Sequence, residues 1–224
     1  MDAKMINIII KELGATVYMV FFSTLFATIL GFVFGIIATV TSPSGLKPNR
    51  IVYKILDAII NVLRSFPFII LIVFIIPLTR AIVGKSIGNT AAIVPLTIAA
   101  APFVARIIES SLKEVDPGVI EAAKSFGASD GQIIFKVMLK EAVPSIISGL
   151  TLTIISVIGY SAMAGSVGAG GLGKVAITYG YQGFRTDYMV TTVIILIIIV
   201  QSLQSLGNYL YKKLNLCLYI YYYI

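Results

Sequence analysis

Charged side chains are scarce in this chain, and histidine is missing altogether. Of the 224 residues only 12% are charged and 58% are hydrophobic, whereas soluble domains carry about 25% charged residues. Such a chain cannot hide its apolar surface inside one water-soluble core, so we expect it to lie in a lipid bilayer. Because histidine is absent and Cys217 is the single cysteine, the composition excludes an internal disulfide, histidine-based acid–base chemistry and most transition-metal sites.

Five apolar runs are long enough to cross a bilayer, which takes about 20 residues of helix. Lipid admits only helices or closed barrels, and these runs lack the alternation of barrel strands. The sequence therefore predicts an all-α integral membrane protein with five transmembrane helices. They form a single domain over residues 1–213, followed by an atypical apolar tail at 214–224. The first run is too long for a signal-peptide core, so we expect it to be retained. The predicted spans are residues 15–40, 56–79, 86–105, 142–166 and 188–211.

The distribution of basic residues predicts the orientation in the membrane. In a soluble protein, a net charge of +7 would suggest a nucleic-acid partner. Here the cations flank apolar runs, so we expect no nucleic-acid partner. With the N-terminus outside and the C-terminus in the cytoplasm, ten cations fall inside and six outside, as the positive-inside rule favours. The ten are Lys47, Arg50, Lys54, Arg106, Lys113, Lys124, Lys136, Lys140, Lys212 and Lys213.

The longest polar interval, residues 106–141, separates the third and fourth spans. Asp116 followed by Pro117 is typical of a helix start, and Gly127 is a natural stop because glycine tolerates positive φ. Ser129, followed three residues later by glutamine, predicts a capping box for a second helix. The sequence therefore predicts a cytoplasmic helix–turn–helix.

Two surfaces could receive this helix–turn–helix: the lipid headgroups or another protein. An amphipathic pair lying flat on the membrane is the first possibility. The interval carries six acidic and five basic residues, however, and anionic headgroups do not favour that mixture. Ala122 and Ala123 have small side chains and form a patch that a groove on another protein could approach closely. Docking to a partner protein is therefore the favoured interpretation.

Small and polar residues also occur inside the spans. Gly31 and Gly35 form a GxxxG pair, which lets two helix backbones approach closely, although glycine is also common in membrane helices. Asp57, Asn61 and Arg64 share one face of the second span; they either face protein or water, or Arg64 extends to the cytoplasmic interface. Helix bends are expected at Pro67, Pro77, Pro95 and Pro102.

The fourth span is rich in hydroxyl groups, which can bond between helices or line a wet path. We predict a translocation pathway along the face that contains Ser156, Tyr160 and Met163. The thioether of methionine is polarizable and suits a soft apolar substrate. Ordinary helix packing is the alternative role for these side chains.

The polar interval contains Glu121-Ala122-Ala123, then Gly127, and further on a hydrophobic residue before Leu139. This pattern resembles the signature loop of the permease subunits of ABC importers. The pattern of that family ends with a proline after the leucine, whereas Lys140 stands here. The resemblance to the permeases of methionine importers covers residues 10–212. It rests on the segments RSFPF from Arg64, IGNTA from Ile87, GYSAMAG from Gly159 and YGYQ from Tyr179.

This resemblance implies a non-catalytic subunit of an ATP-driven importer in the bacterial inner membrane. Glu121, Ala122, Ala123, Gly127 and Leu139 would couple it to a cytoplasmic ATPase present in two copies. ATP and magnesium would bind to that ATPase, and this chain would carry no catalytic residue, cofactor or metal. A second copy of the chain would complete the pathway, and an extracytoplasmic binding protein would deliver methionine or a similar amino acid.

Other functions are compatible with parts of the sequence. Another amino acid, a peptide or an anion could be the solute. A secondary transporter would need ionisable residues in the middle of the membrane and usually an internal repeat. No Asp, Glu or His lies in the middle of any predicted span, and five spans do not divide into two equal halves. The segment from Gly168 to Gly173 fits both GxGxxG and, with Lys174, the start of a P-loop. It lacks the flanking strand and the Ser or Thr that these motifs require, so we interpret it as a flexible segment, part of an outer gate.

Overall fold

The computed structural model describes the backbone of residues 3–223 and the side chains of residues 3–216, and the regular structure in this part of the chain is helical throughout. The predicted all-α fold is thereby confirmed. The helices are α1 Ala3–Thr41, α2 Arg50–Ser65, α3 Phe68–Phe74, α4 Ile76–Val83, α5 Asn89–Lys113, α6 Pro117–Ser125, α7 Asp130–Gln132, a π-helical segment Ile133–Met138, α8 Leu139–Ser166, α9 Gly171–Lys174, a second π-helical segment Val175–Gln182, and α10 Thr186–Tyr223.

Four continuous helices are long and apolar enough to span a membrane: α1, α5, the run Asp130–Ser166 and the run Thr186–Leu216. A fifth crossing is possible if α2 and α3 together form one broken span, in which the two helices meet at 104°. The break lies at Pro67, because proline cannot donate the next helical hydrogen bond and disfavours helical geometry in the residue before it. A bend at this proline was predicted, although its size was not.

The contacts between helices define their relative directions. Tyr53 of α2 lies beside the end of α5 and Asp57 beside an earlier turn of α5, so these helices are antiparallel. Ser145 at the start of α8 contacts Ser111 near the end of α5, which makes α8 antiparallel to α5 as well. Gly207 of α10 contacts Thr151 of α8, and Tyr211 and Asn215, further along α10, line a cavity with residues at the start of α8, as expected for another antiparallel pair. Helices α5 and α10 therefore run one way, and α2 and α8 run the other way.

Helix α1 packs closely against α5 through the GxxxG pair. A methyl group on Gly31 would lie 2.5 Å from Cβ of Val104 and 2.8 Å from the carbonyl oxygen of Ala101, and one on Gly35 would lie 2.6 Å from Cβ of Ile108. These glycines therefore allow the backbones of α1 and α5 to approach closely, which is the first of the two explanations considered for them. The regular offset between the two helices also shows that they are parallel.

Replacing Gly31 with alanine should destabilise the protein, because α1 and α5 would have to move apart. Overpacking of this kind typically costs about 1–3 kcal/mol. Gly14→Ala is the matched control, since Gly14 lies in the same helix and a methyl group there meets nothing within 4 Å. Thermal unfolding in detergent should show a lower melting temperature for the Gly31 variant and an unchanged or higher one for the control. Equal melting temperatures would contradict the close packing.

Several helices extend beyond the predicted spans. Helix α5 begins at Asn89 rather than at residue 86 and continues to Lys113, without interruption at its two prolines. The fourth span is continuous with the helix that precedes it, from Asp130 to Ser166. Helix α10 does not end at residue 213 but runs to Tyr223, so the backbone of the predicted tail is helical up to that residue. The side chains of residues 217–224 lie outside the described part of the chain.

Candidate transport site and coupling surface

The polar interval between the third and fourth spans forms a hairpin of residues Pro117–Met138, which we call the coupling hairpin. The carboxylate of Asp116 accepts a hydrogen bond of 2.7 Å from the backbone N–H of Gly118 and thereby caps α6. Gly127 follows with φ +77°, a conformation that side chains with a Cβ rarely adopt. Ser129 and Gln132 then form a capping box at the start of α7. These local interactions position a sharp turn between two helical arms.

The residues predicted for coupling are not equally accessible. Glu121, Ala122 and Gly127 are exposed, whereas Ala123 and Leu139 are half-buried and pack against the hydrophobic core. Leu139 belongs to α8, beyond the hairpin. The structure therefore brings four of the five residues together on or beside α6, whereas Leu139 lies in α8, outside the hairpin.

An exposed aromatic residue on the coupling hairpin was not among the predicted coupling residues. Phe126, next to Gly127, is 91% exposed, and Phe135 on the second arm is also exposed. Exposed aromatic side chains are common anchors in protein–protein interfaces. The sequence signal was available, because Phe126 stands in an otherwise polar stretch directly before a predicted helix stop.

The coupling hairpin is attached to the rest of the protein at its base. The Lys47 ammonium lies 3.1 Å from the Asp130 carboxylate, which joins the turn after α1 to the second arm. Ile133, Ile134 and Met138 are buried in the core. A cavity of about 290 Å³ separates α6 from the end of α1 and the turn that follows it. The hairpin thus has one buried arm, formed by the π-helical segment, and one arm without buried residues, formed by α6.

The predicted pathway residues lie on or near one exposed stripe of α8. Ser156 and Met163 are exposed, and the hydroxyl of Ser156 donates to the carbonyl of Leu152 at 2.9 Å. Tyr160 is half-buried and stacks on Phe68 of α3, with 4.9 Å between ring centroids and 18° between ring planes. The structure therefore places Ser156 and Met163 on the same surface and Tyr160 at its edge, against the broken span.

A buried carboxylate lies where α2 meets the last turns of α5. The side chain of Glu109 is only 3% exposed. Its oxygens accept hydrogen bonds of 2.6 Å from Arg106, 2.6 Å from Lys113 and 3.1 Å from the Tyr53 hydroxyl. Two cations and a phenol therefore compensate the charge of Glu109, as a buried charge requires.

The same arginine extends this cluster onto α2. The guanidinium of Arg106 also donates to Asp57 at 2.6 Å and to Asn61 at 3.0 Å, and the amide of Asn61 donates to Asp57 at 3.1 Å. We call the set of Glu109, Arg106, Lys113, Tyr53, Asp57 and Asn61 the Glu109 network. The predicted polar face of α2 therefore faces protein over most of its length. The only buried residue of α2 is Ile60, so the network is the main polar attachment between this helix and α5.

The glycine-rich segment is ordered by contacts with α1, which corrects the expectation that it is flexible. The backbone N–H of Gly171 donates to the carboxylate of Glu12 at 2.7 Å, and that of Leu172 donates to the Thr16 hydroxyl at 2.8 Å. Gly171 and Leu172 are themselves buried. Side chains of α1 thus cap the first turn of α9, which has no side-chain cap of its own. This contact spans more than 150 residues of sequence, so no local pattern could have predicted it.

Known proteins resemble this chain over nearly its whole length. The probable D-methionine transport system permease protein MetI of Vibrio cholerae is 47% identical over 209 residues, which cover 93% of each chain. The methionine import system permease protein MetP of Bacillus subtilis is 45% identical over 168 residues, or 75% of this chain and 76% of that protein. A structure of the MetNI methionine ABC transporter in an inward-facing conformation contains a chain with a TM-score of 0.93 and 43% identity, covering 96% of this chain and 99% of that one.

Residues 31–216 match the family of the binding-protein-dependent transport system inner membrane component. The family consists of transport components rather than catalytic subunits, which confirms the predicted non-catalytic role. It also confirms the resemblance to importer permeases inferred from the signature loop. This chain belongs to the family of binding-protein-dependent transport system inner membrane components.

Proposed function

We propose that this chain is the membrane-spanning permease of an ATP-driven methionine importer. The observation that carries the proposal is the agreement of sequence and fold with methionine permeases over more than nine-tenths of both chains. A likeness of this extent includes the broken span and the coupling hairpin as well as the helical scaffold. Another small amino acid is the second candidate solute, since selectivity can also reside in the binding protein.

Two copies of the permease would form the pathway between them. The exposed stripe of α8 supports this arrangement, because it combines Leu152 and Met163 with Ser156 and Gly159. The exposed residues of α10, by contrast, include a run of valine and isoleucine, as expected for contact with lipid: Val190, Val193, Ile194, Ile197 and Ile198. The more polar stripe of α8 therefore faces the second copy and the solute, with Ser156, Tyr160 and Met163 along the pathway.

Each copy would dock one cytoplasmic ATPase through its coupling hairpin, and ATP with magnesium would bind to that partner. The exposure of Glu121, Ala122 and Phe126 supports a docking role. Closure of the two ATPases would draw the hairpins together. Because the second hairpin arm continues into α8 without a break, movement of the hairpin would tilt the helix that lines the pathway. Solute delivered by an extracytoplasmic binding protein would then enter from the outer side.

The proposed orientation places the N-terminus outside and the C-terminus in the cytoplasm. The helix directions support it, because they bring the turn after α1, the coupling hairpin and the end of α10 to the same side. Lys47 pairs with Asp130 there, and Tyr211 and Asn215 of α10 line a cavity with Glu114 and Glu141. Most of the basic residues counted as cytoplasmic lie at this end, as the positive-inside rule favours.

Uptake by proteoliposomes tests the proposed function. Vesicles that contain the permease, its ATPase and the binding protein should accumulate radiolabelled L-methionine when ATP is supplied on the ATPase side. Unlabelled methionine should compete, and omission of the ATPase should abolish uptake. Uptake driven by a proton or sodium gradient without ATP would contradict the proposal. Competition by another amino acid but not by methionine would transfer the assignment to that solute.

A further inference from the structure

We infer that Arg64 binds the carboxylate of the transported amino acid at the break of the second span. This inference rests on the proposed function and adds the group that recognises the solute within the membrane. The guanidinium carbon of Arg64 lies 5.1 Å from the centroid of the Phe103 ring. Within the side chains that the structure describes, residues 3–216, no hydrogen bond or ion pair is found for this guanidinium.

The contact with Phe103 defines the level of Arg64 along α5. Phe103 lies ten residues before Lys113 and 14 residues after Asn89, the ends of α5. At 1.5 Å per residue, the guanidinium therefore lies about 15 Å from the nearer end of this helix. Helix α5 continues eight residues beyond the predicted end of the third span at residue 105, so this distance is not the depth of the guanidinium in the membrane. Extension of Arg64 to the cytoplasmic interface therefore stays a prediction.

The face of α2 that carries Arg64 is not its lipid face. Arg64 follows Tyr53, Asp57 and Asn61 at helical spacing on one stripe, and those three residues belong to the Glu109 network. The opposite side of the helix exposes apolar residues that suit lipid: Ile51, Ile55, Ile59 and Val62. Charged residues within the membrane face protein or a water-filled cavity, and the stripe that carries Arg64 is the side of α2 that contacts protein.

No carboxylate of the predicted spans is left to neutralise Arg64. Asp57 is the only Asp or Glu within the five predicted spans, and it is already bound to Arg106 and Asn61. The anion that complements Arg64 must therefore come from outside the transmembrane part of the permease. A solute carboxylate is such an anion, and the planar guanidinium matches it with two parallel hydrogen bonds.

The surroundings of Arg64 suit the rest of the solute. The ring of Phe103 supports one face of the guanidinium by a cation–π contact, which leaves the N–H groups at its edge available. Phe68 follows four residues later, across the break, and stacks on Tyr160 of α8. The break therefore has a carboxylate-binding group on one side and an apolar aromatic pair on the other, beside the proposed pathway.

Binding to the permease–ATPase complex in nanodiscs, measured without the binding protein, tests this inference. Arg64→Gln should weaken the binding of radiolabelled L-methionine at least about tenfold, as expected for loss of a charge-assisted hydrogen-bonded pair. Arg64→Lys should restore part of it. In the wild type, the hydroxy-acid analogue of methionine, which keeps the carboxylate, should compete, whereas methioninol, which lacks it, should not.

Arg80→Gln is the matched control, since Arg80 is an exposed arginine on α4 away from the break, and its binding should equal that of the wild type. Wild-type binding by the Arg64→Gln variant would overturn the inference. Equal competition by methioninol, or no carboxylate-selective binding in the wild type, would do the same. ATP-dependent methionine uptake by the wild type in the proteoliposome experiment would still support the proposed function in each of these cases.

Discussion

Replacing Phe126 with aspartate should release the ATPase from the permease while leaving membrane insertion intact. The side chain is 91% exposed on the coupling hairpin, so its replacement removes no packing within the permease. An aromatic anchor of an interface typically contributes 2 kcal/mol or more, which corresponds to a loss of affinity of about 30-fold. Co-purification with the ATPase and ATP-dependent uptake should both fall accordingly.

The matched control is Phe184→Asp, the same chemical change at a residue that is 93% exposed in the turn before α10, at the opposite end of the protein. This control should retain the ATPase.

The double variant Glu121→Lys with Gly127→Pro should abolish docking more completely, because proline cannot adopt the φ of +77° found at Gly127. A thiol reagent that cannot cross the membrane should reach a cysteine at Lys124 only from the cytoplasmic side. Wild-type ATPase retention by both hairpin variants would remove the hairpin from the docking surface.

Replacing Glu109 with alanine should cause the largest loss of stability. The change leaves Arg106 and Lys113 facing each other without the carboxylate that both contact at 2.6 Å. Removing one partner of a buried ion pair typically costs about 3–5 kcal/mol, which corresponds to a decrease in melting temperature on the order of 10 °C for a chain of this size. Helix α2 should separate from α5 first, because the Glu109 network is its main polar attachment.

Two control variants separate the buried charge from its surroundings. Tyr53→Phe removes one hydrogen bond to Glu109 and should cost about 1 kcal/mol. Glu114→Ala removes an exposed acid five residues further along the chain and should have an effect below about 1 kcal/mol. Thermal unfolding of the three purified variants in one detergent provides the comparison. If the Glu109→Ala and Glu114→Ala proteins have the same melting temperature, the network does not hold α2 in place.

The parts of the candidate site that were predicted correctly depend on near neighbours in sequence. Asp116 caps a helix two residues later, and Ser129 forms its capping box with a residue three positions away. Such contacts depend on side-chain chemistry and local backbone geometry alone. The exposure of Phe126 and the half-burial of Leu139 depend instead on the rotation of each helix about its axis, which the sequence pattern of a short polar segment does not define.

The chemistry of the residues alone predicted a helical membrane protein with five apolar crossings and a polar hairpin, because hydrophobicity and helix signals act over a few neighbouring residues. The 104° break between α2 and α3, the contact of Arg64 with Phe103, the Glu109 network and the capping of α9 by Glu12 emerged from the packed helices. Each of these features joins groups that are distant in sequence or depends on the angle at which helices meet. Their energies arise from burial and from contacts between helices, which exist only once the spans have assembled.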